Sequence, residues 1–297
     1  MRPHTLALIL FLLAPITRAA EKPFTLPDDS KIAYIGNTVA ERDQIHGYFE
    51  TRLIESFPDK NIIYRNLGWS GDTVQGQARA RFGQAIDGFN HIAAHVADLK
   101  PNVIFLNYGL DEAFAGPAGL DAFNDNLKKM LDMLSKSSPQ IVIFSIMQQE
   151  KLPPPLPDPA SQNENIKLYN AALAKAAADR GLRFIDLYEV PTQFAAANPG
   201  KHFTANEIHP TPEGSQFMAD AIMKGLGLPT PPPSANFEAI RKLTIEKNRL
   251  YFHRWRPENE TYIFGFRKAE QGRNAVEIPQ FDPLIAAKEA EINKLKK

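Results

Sequence analysis

Five short apolar runs, each followed by a stretch of helical periodicity, limit this chain to one kind of architecture. The runs are KIAYIG (31–36), NIIYRNLG (61–68), NVIFLNYG (102–109), IVIFSIM (141–147) and LRFIDLY (182–188). Their length and their β-branched and aromatic content are those of buried strands. Between them, Ile45, Tyr48, Phe49 and Leu53 share one helix face, and a segment around 89–99 reads as a second helix. Leu120, Phe123, Leu127, Met130, Leu131 and Leu134 mark an amphipathic third helix, and further helices are expected over 163–179 and from about Pro212 to Leu226. Continuous apolar strands separated by helices belong to a parallel sheet covered on both faces. The expectation is therefore an α/β fold, a three-layer α/β/α sandwich of flavodoxin-like type. Such sheets bind ligands at the carboxyl ends of their strands. The chemistry should sit just after Gly36, Gly68, Tyr108 and Met147, and in the loop before the last of these helices.

The two ends of the chain read differently. MRPHTLALILFLLAPITRAAEKPF opens with a basic residue, an apolar run from Leu6 to Ile16 and small residues at Ala19 and Ala20. That is the pattern of a secretory signal peptide over residues 1–19, too short for a comfortable membrane span. With no cysteine for a disulfide framework, the exported chain fits a bacterial envelope, secreted or periplasmic, with no membrane span once the leader is removed. A Pro-rich linker is expected over 227–235, then a C-terminal extension, 236–297, with Ser234 as N-cap of a helix carrying Phe237, Ile240, Leu243 and Leu250. Residues 251–283 read as irregular and aromatic, packing back over the main domain. Lys+Arg and Asp+Glu both number 34, so no basic excess marks a nucleic-acid surface.

The strand ends hold four blocks. The first run leads into Ile35-Gly36-Asn37-Thr38, the second into Asn66-Leu67-Gly68-Trp69-Ser70-Gly71, and the third into Gly109-Leu110-Asp111-Glu112. The loop before the closing helix reads Asn206-Glu207-Ile208-His209-Pro210. In their order and placement these blocks resemble the SGNH, or GDSL-like, hydrolases over residues 31–226. The resemblance implies an ester hydrolase working without a cofactor or metal. Thr38 takes the place of the serine nucleophile, His209 that of the base, and the amides of Thr38 and Gly71 form an oxyanion hole. Asp111 stands where the family has an oxyanion-donating Asn, and Asn206 where it has the Asp that orients the His.

Each departure has a physical consequence. The extra methyl of Thr38 restricts χ1 and crowds an approaching carbonyl. An Asn cannot stabilise an imidazolium, and in a serine protease the corresponding change costs about 10⁴ in rate. An ionised Asp111 repels a developing oxyanion; it could donate only if burial kept it protonated. Alternatively the two side chains have exchanged roles, Asp111 orienting His209 while Asn206 or Asn37 donates. Glu207 could replace the missing acid only if the loop turned differently. Asp111, Glu112, Asp72 and His209 could also hold a hard cation, although their spacing shows no metal signature. Asn37, Trp69, Tyr108 and Glu112 are the candidates for contact with substrate, the aromatic rings by stacking on a sugar. Two functions compete: hydrolysis of small acyl esters, acetylated sugars among them, and a catalytically impaired relic that holds a glycan or a partner in the same cleft.

Overall fold

The computed structural model describes residues 24–270 and 274–296; the expected leader lies outside them. Five parallel strands form one sheet in the order β2-β1-β3-β4-β5. They are β1 (Ser30–Gly36), β2 (Ile62–Gly68), β3 (Val103–Asn107), β4 (Gln140–Phe144) and β5 (Arg183–Ile185). The helices are α1 (Thr38–His46), α2 (Tyr48–Ser56), α3 (Ala85–Leu99), α4 (Leu120–Leu134), α5 (Ala160–Asp179), α6 (Val190–Ala197), α7 (Pro212–Gly225), α8 (Phe237–Trp255), α9 (Glu260–Ile263) and α10 (Phe281–Leu295). No helix among the described residues is long and apolar enough to cross a membrane.

Alternation along the strands explains why both faces of the sheet are covered. Ala33, Ile35, Ile104, Leu106, Ile141 and Ile143 pack against the apolar stripes of α3, α4 and α5. Their neighbours Ile32, Tyr34, Val103, Phe105, Val142 and Phe144 pack with Phe49 and Leu53 of α2 and with Met218 and Ile222 of α7. The outcome is the expected three-layer α/β/α arrangement. Its helices start earlier than periodicity suggested, at Ala85 and Ala160, since their first turns are largely exposed and outside the buried stripe, Ile86 included.

The C-terminal part differs more. The 227–235 segment lies against α2, where Arg52 donates to the Pro231 carbonyl at 2.9 Å. Asn236, not Ser234, occupies the N-cap of α8; Ser234 Oγ instead accepts the Asn236 N–H at 3.2 Å and bonds Glu55. The stretch expected to be irregular contains the end of α8, all of α9 and the start of α10. Tyr251 and Trp255, one helical turn apart, face the α/β layers. Tyr251 lies under Arg65 of β2 at 4.9 Å, and Trp255 meets Trp69 edge-to-face at 5.8 Å. Phe264 and Phe266 do not join them and stay exposed.

Candidate active site

Three strand ends and one loop converge as the sheet geometry requires. Gly36 lies so close to β3 that a Cβ there would sit 2.3 Å from the Asn107 carbonyl oxygen. That contact lets Asn37 N–H donate to Asn107 O at 3.1 Å, while Trp69 N–H donates to Gly36 O at 2.9 Å. The chain then enters α1 at Thr38, whose backbone N–H is one of the amides a helix N-terminus leaves without an intrahelical acceptor. Across from it, Gly71 adopts φ 71° with nothing within 4 Å of its missing Cβ. Its N–H donates to Thr38 Oγ1 at 3.2 Å. The Thr38 hydroxyl and the Gly71 amide thus meet beside the open space at Gly71, with the first amide of α1 in the same turn.

The fourth block reaches this region along α1. His46 at the end of α1 bonds the Pro210 backbone, and the half-buried His209 lies within the field of Glu41 and Arg42. Burial and the Arg42 guanidinium hold its imidazole below the ordinary value, with Glu41 pulling the other way. Asn206 grips the histidine twice. Its Oδ1 accepts the His209 backbone N–H at 3.0 Å, and its Nδ2 stands 3.1 Å from His209 Nδ1. A backbone N–H can only donate, so it fixes which end of the amide faces it. The amide nitrogen must then face the ring. A neutral ring accepting there at Nδ1 carries its proton on Nε2. Among the described residues no hydrogen bond joins Thr38 to His209.

Asp111 is not the partner of the histidine: its carboxyl takes a hydrogen bond from the Asn37 side chain. Its Oδ2 is buried without a partner, and burial raises the carboxyl above the ordinary range, with the Asp72 charge adding to the rise. Glu112 accepts the Val74 N–H at 2.8 Å through Oε1, and burial pushes it up to about 7. Glu207 takes a left-handed φ of 71°, is buried, and makes no bond to His209, so it does not stand in for the missing acid.

The four expected substrate contacts are part of the scaffold instead. Asn37 is 1% exposed and engaged with Asp111. Tyr108 is buried, its hydroxyl donating to Asp72 Oδ2 at 2.8 Å. Glu112 is spent on the Val74 amide. Trp69 cannot stack on a sugar because the Arg256 guanidinium of the extension already lies 3.6 Å from its ring centroid. The cation alternative fails on the same grounds: Asp72 is bound by Arg79 at 2.6 Å and by Tyr108, with both members of the ion pair fully buried.

Two carboxylates organise the site without having been singled out from the sequence. Glu41 accepts Ser70 N–H and Oγ–H at 2.8 and 2.9 Å and pairs with Arg256 at 2.7 Å, so it ties α1, the second block and the extension together. Glu150 accepts the N–H groups of Phe203 and Thr204 at 3.1 and 2.6 Å and the Thr204 hydroxyl at 2.6 Å, which shapes the loop leading to Asn206. The only sequence signal for Glu41 was its place one turn after the first block. Glu150 had none beyond its position after β4.

Comparison with known proteins agrees with this fold. A family model described as GDSL-like Lipase/Acylhydrolase matches residues 29–217. No curated protein matches the sequence. Among solved structures, a gut microbial diltiazem-metabolizing enzyme is similar over 93% of this chain and 97% of its own, at 13% identity and TM-score 0.61. An acetylxylan esterase from Geobacillus stearothermophilus covers 68% of this chain and 96% of its own, at 15% identity and TM-score 0.52. An alpha/beta hydrolase from the metagenome of Lake Arreo covers 67% and 96%, at 18% identity and TM-score 0.52. At these identities the likeness is one of fold.

Proposed function

Since the chain belongs to the GDSL-like lipase/acylhydrolase family, the matched segment spanning the whole sheet, and is an ester hydrolase, we propose that it cleaves small acyl esters with Thr38 as nucleophile and His209 as base. The observation that carries this reading is the 3.2 Å contact of the Gly71 amide with Thr38 Oγ1 beside open space. Thr38 Oγ1 attacks the acyl carbon and its proton passes to His209 Nε2. The carbonyl oxygen becomes an oxyanion between the amides of Gly71 and Thr38, which act whatever the side chains are. His209 returns the proton to the departing alcohol, and water then releases the acyl group from Thr38 by the same steps.

The ring needs its resting proton on Nδ1 for this, and the Asn206 amide must then turn over and surrender the His209 backbone N–H. That requirement makes a slow hydrolase. Asp111 adds a donor O–H to the oxyanion only while protonated, so activity declines as pH rises through its carboxyl. Acetyl esters on sugars are the substrates we favour, supported by the acetylxylan esterase among the similar folds. The leader-like residues 1–19 would export the protein to the envelope.

The test is hydrolysis of aryl and sugar acetates by wild type, Thr38→Ala, His209→Ala and Thr38→Ser. Both alanine variants should lose turnover, and Thr38→Ser should gain it by removing the crowding methyl. Turnover unchanged in the alanine variants would remove the triad reading. A wild type and serine variant both inert toward these esters would favour a glycan-binding relic of the fold, to be checked by calorimetry with glycans.

A further inference from the structure

Arg42 stands four residues after Thr38 on α1, so the two side chains share one helix face with Cβ atoms roughly 5–6 Å apart. It is exposed and makes no ion pair among the described residues. The other arginines around the site are engaged: Arg79 with Asp72, Arg81 with Glu260 and Arg256 with Glu41. Its neighbour Glu41 is saturated by Ser70 and Arg256. Glu150 is consumed by Phe203 and Thr204, and Glu207 is buried. Among the described residues of this region, the Arg42 guanidinium is therefore left to face solvent beside the histidine.

The direction of the chemistry says what would meet it. His209 hands its proton to the leaving oxygen, so the alcohol part of an ester must lie on the His209 side of the scissile bond. That is the side whose field Arg42 dominates, after burial, at the imidazole. We propose that Arg42 is an anion subsite and that the preferred substrates are esters whose alcohol part carries a carboxylate. This rests on the hydrolase reading above and names its substrate class.

A bound carboxylate would also neutralise the charge that depresses His209. The base is then stronger in the complex than in the free enzyme, so substrate binding improves the proton acceptor. The charged or titratable groups near the ring that could blur this effect are Glu41, which acts on it directly, Arg256 acting through Glu41, His46 against the adjacent Pro210 backbone, and Glu207 two residues before it in the loop. All of them are unchanged between a charged and a neutral substrate.

The experiment compares 3-acetoxybenzoate with its methyl ester, which share the aryl acetate bond but carry a charged or a masked carboxyl on the alcohol part. Acetate release is followed in both, and each rate is divided by that of alkaline hydrolysis to remove the difference in leaving group. Wild type should favour the carboxylate roughly tenfold in kcat/KM, the size of one hydrogen bond to a charged group. Arg42→Gln should abolish that ratio chiefly through KM, and Arg42→Lys should keep part of it. With the charged substrate alone, the acid limb of kcat should lie at higher pH than that of kcat/KM. Equal kcat/KM for the two esters in wild type, or a preference that persists in Arg42→Gln, overturns the proposal. If neither ester turns over, the hydrolase reading has failed, and Arg42 is judged by calorimetry with 3-hydroxybenzoate. Binding lost in Arg42→Gln keeps the anion subsite; no binding by wild type, or equal binding by both, ends it.

Discussion

At Asn206 one atom decides the state of a neighbouring ring. Asn and Asp have almost the same shape, but only the carboxylate can accept both from the His209 backbone N–H and from a ring Nδ1–H. With Asn206 the backbone N–H takes Oδ1 and leaves an amide nitrogen facing the ring. Asn206→Asp should therefore return the proton to Nδ1, free Nε2 to accept, and raise the imidazole from its depressed value. Ester turnover should rise by up to about 10⁴, the cost of the opposite change in a serine protease. Steady-state kinetics and the ring nitrogen shifts of His209 by NMR would check it, and unchanged shifts would refute the tautomer argument. The positions of Thr38, Gly71 and His209 in the fold were legible in the sequence because each follows a strand or precedes a helix at a fixed place. The fate of Trp69 was not. Its ring is covered by Arg256, 187 residues further along the chain, and no local pattern reports such a contact.

At the scale of elements, α1 carries Thr38 at its start and Asp43 on its inward face. Asp43 is 3% exposed, and burial first, then the charge of Glu50, pushes it up to about 7. The folded chain thus holds a proton that the unfolded chain releases near the ordinary carboxyl value of 3.8. Stability from this site is complete below the unfolded value and is lost as pH rises through the folded one, between about 4 and 7. Asp43→Asn should remove that slope and be more stable than wild type at pH 8, by on the order of a few kcal/mol, with little difference at acid pH. Urea midpoints across the pH range would measure it; parallel curves for the two proteins would contradict the burial argument. The strands and helices around α1 were readable from apolar periodicity. The polar residue inside its apolar face was not, because sequence does not show which acid is buried.

Across the whole molecule, the extension and the α/β layers are joined by charges as well as by apolar surface. Lys247 of α8 is fully buried; it pairs with Glu50 of α2 and donates to the Tyr64 carbonyl at 3.1 Å, while Asn248 donates to the other Glu50 oxygen at 2.8 Å. Arg65 of β2 reaches Glu289 of α10 at 2.5 Å, so the outer strand of the sheet is held by two helices of the extension. The extension after the Pro-rich 227–235 segment was expected to pack back over the main domain, and a seam with a buried ion pair couples the two energetically. Removing one partner of such a pair strands the other charge and costs about 3–5 kcal/mol. Lys247→Met should therefore lower the urea midpoint of the entire protein rather than loosen the extension alone. Both tryptophans of the chain, Trp69 and Trp255, meet in this seam, so their fluorescence reports docking while far-UV dichroism reports the sheet and helices. In wild type and variant the two signals should lose their native values together, at one midpoint. A fluorescence transition that comes first would show that the extension undocks from a sheet still folded, and the coupling through Glu50 would then be too weak to make one cooperative unit.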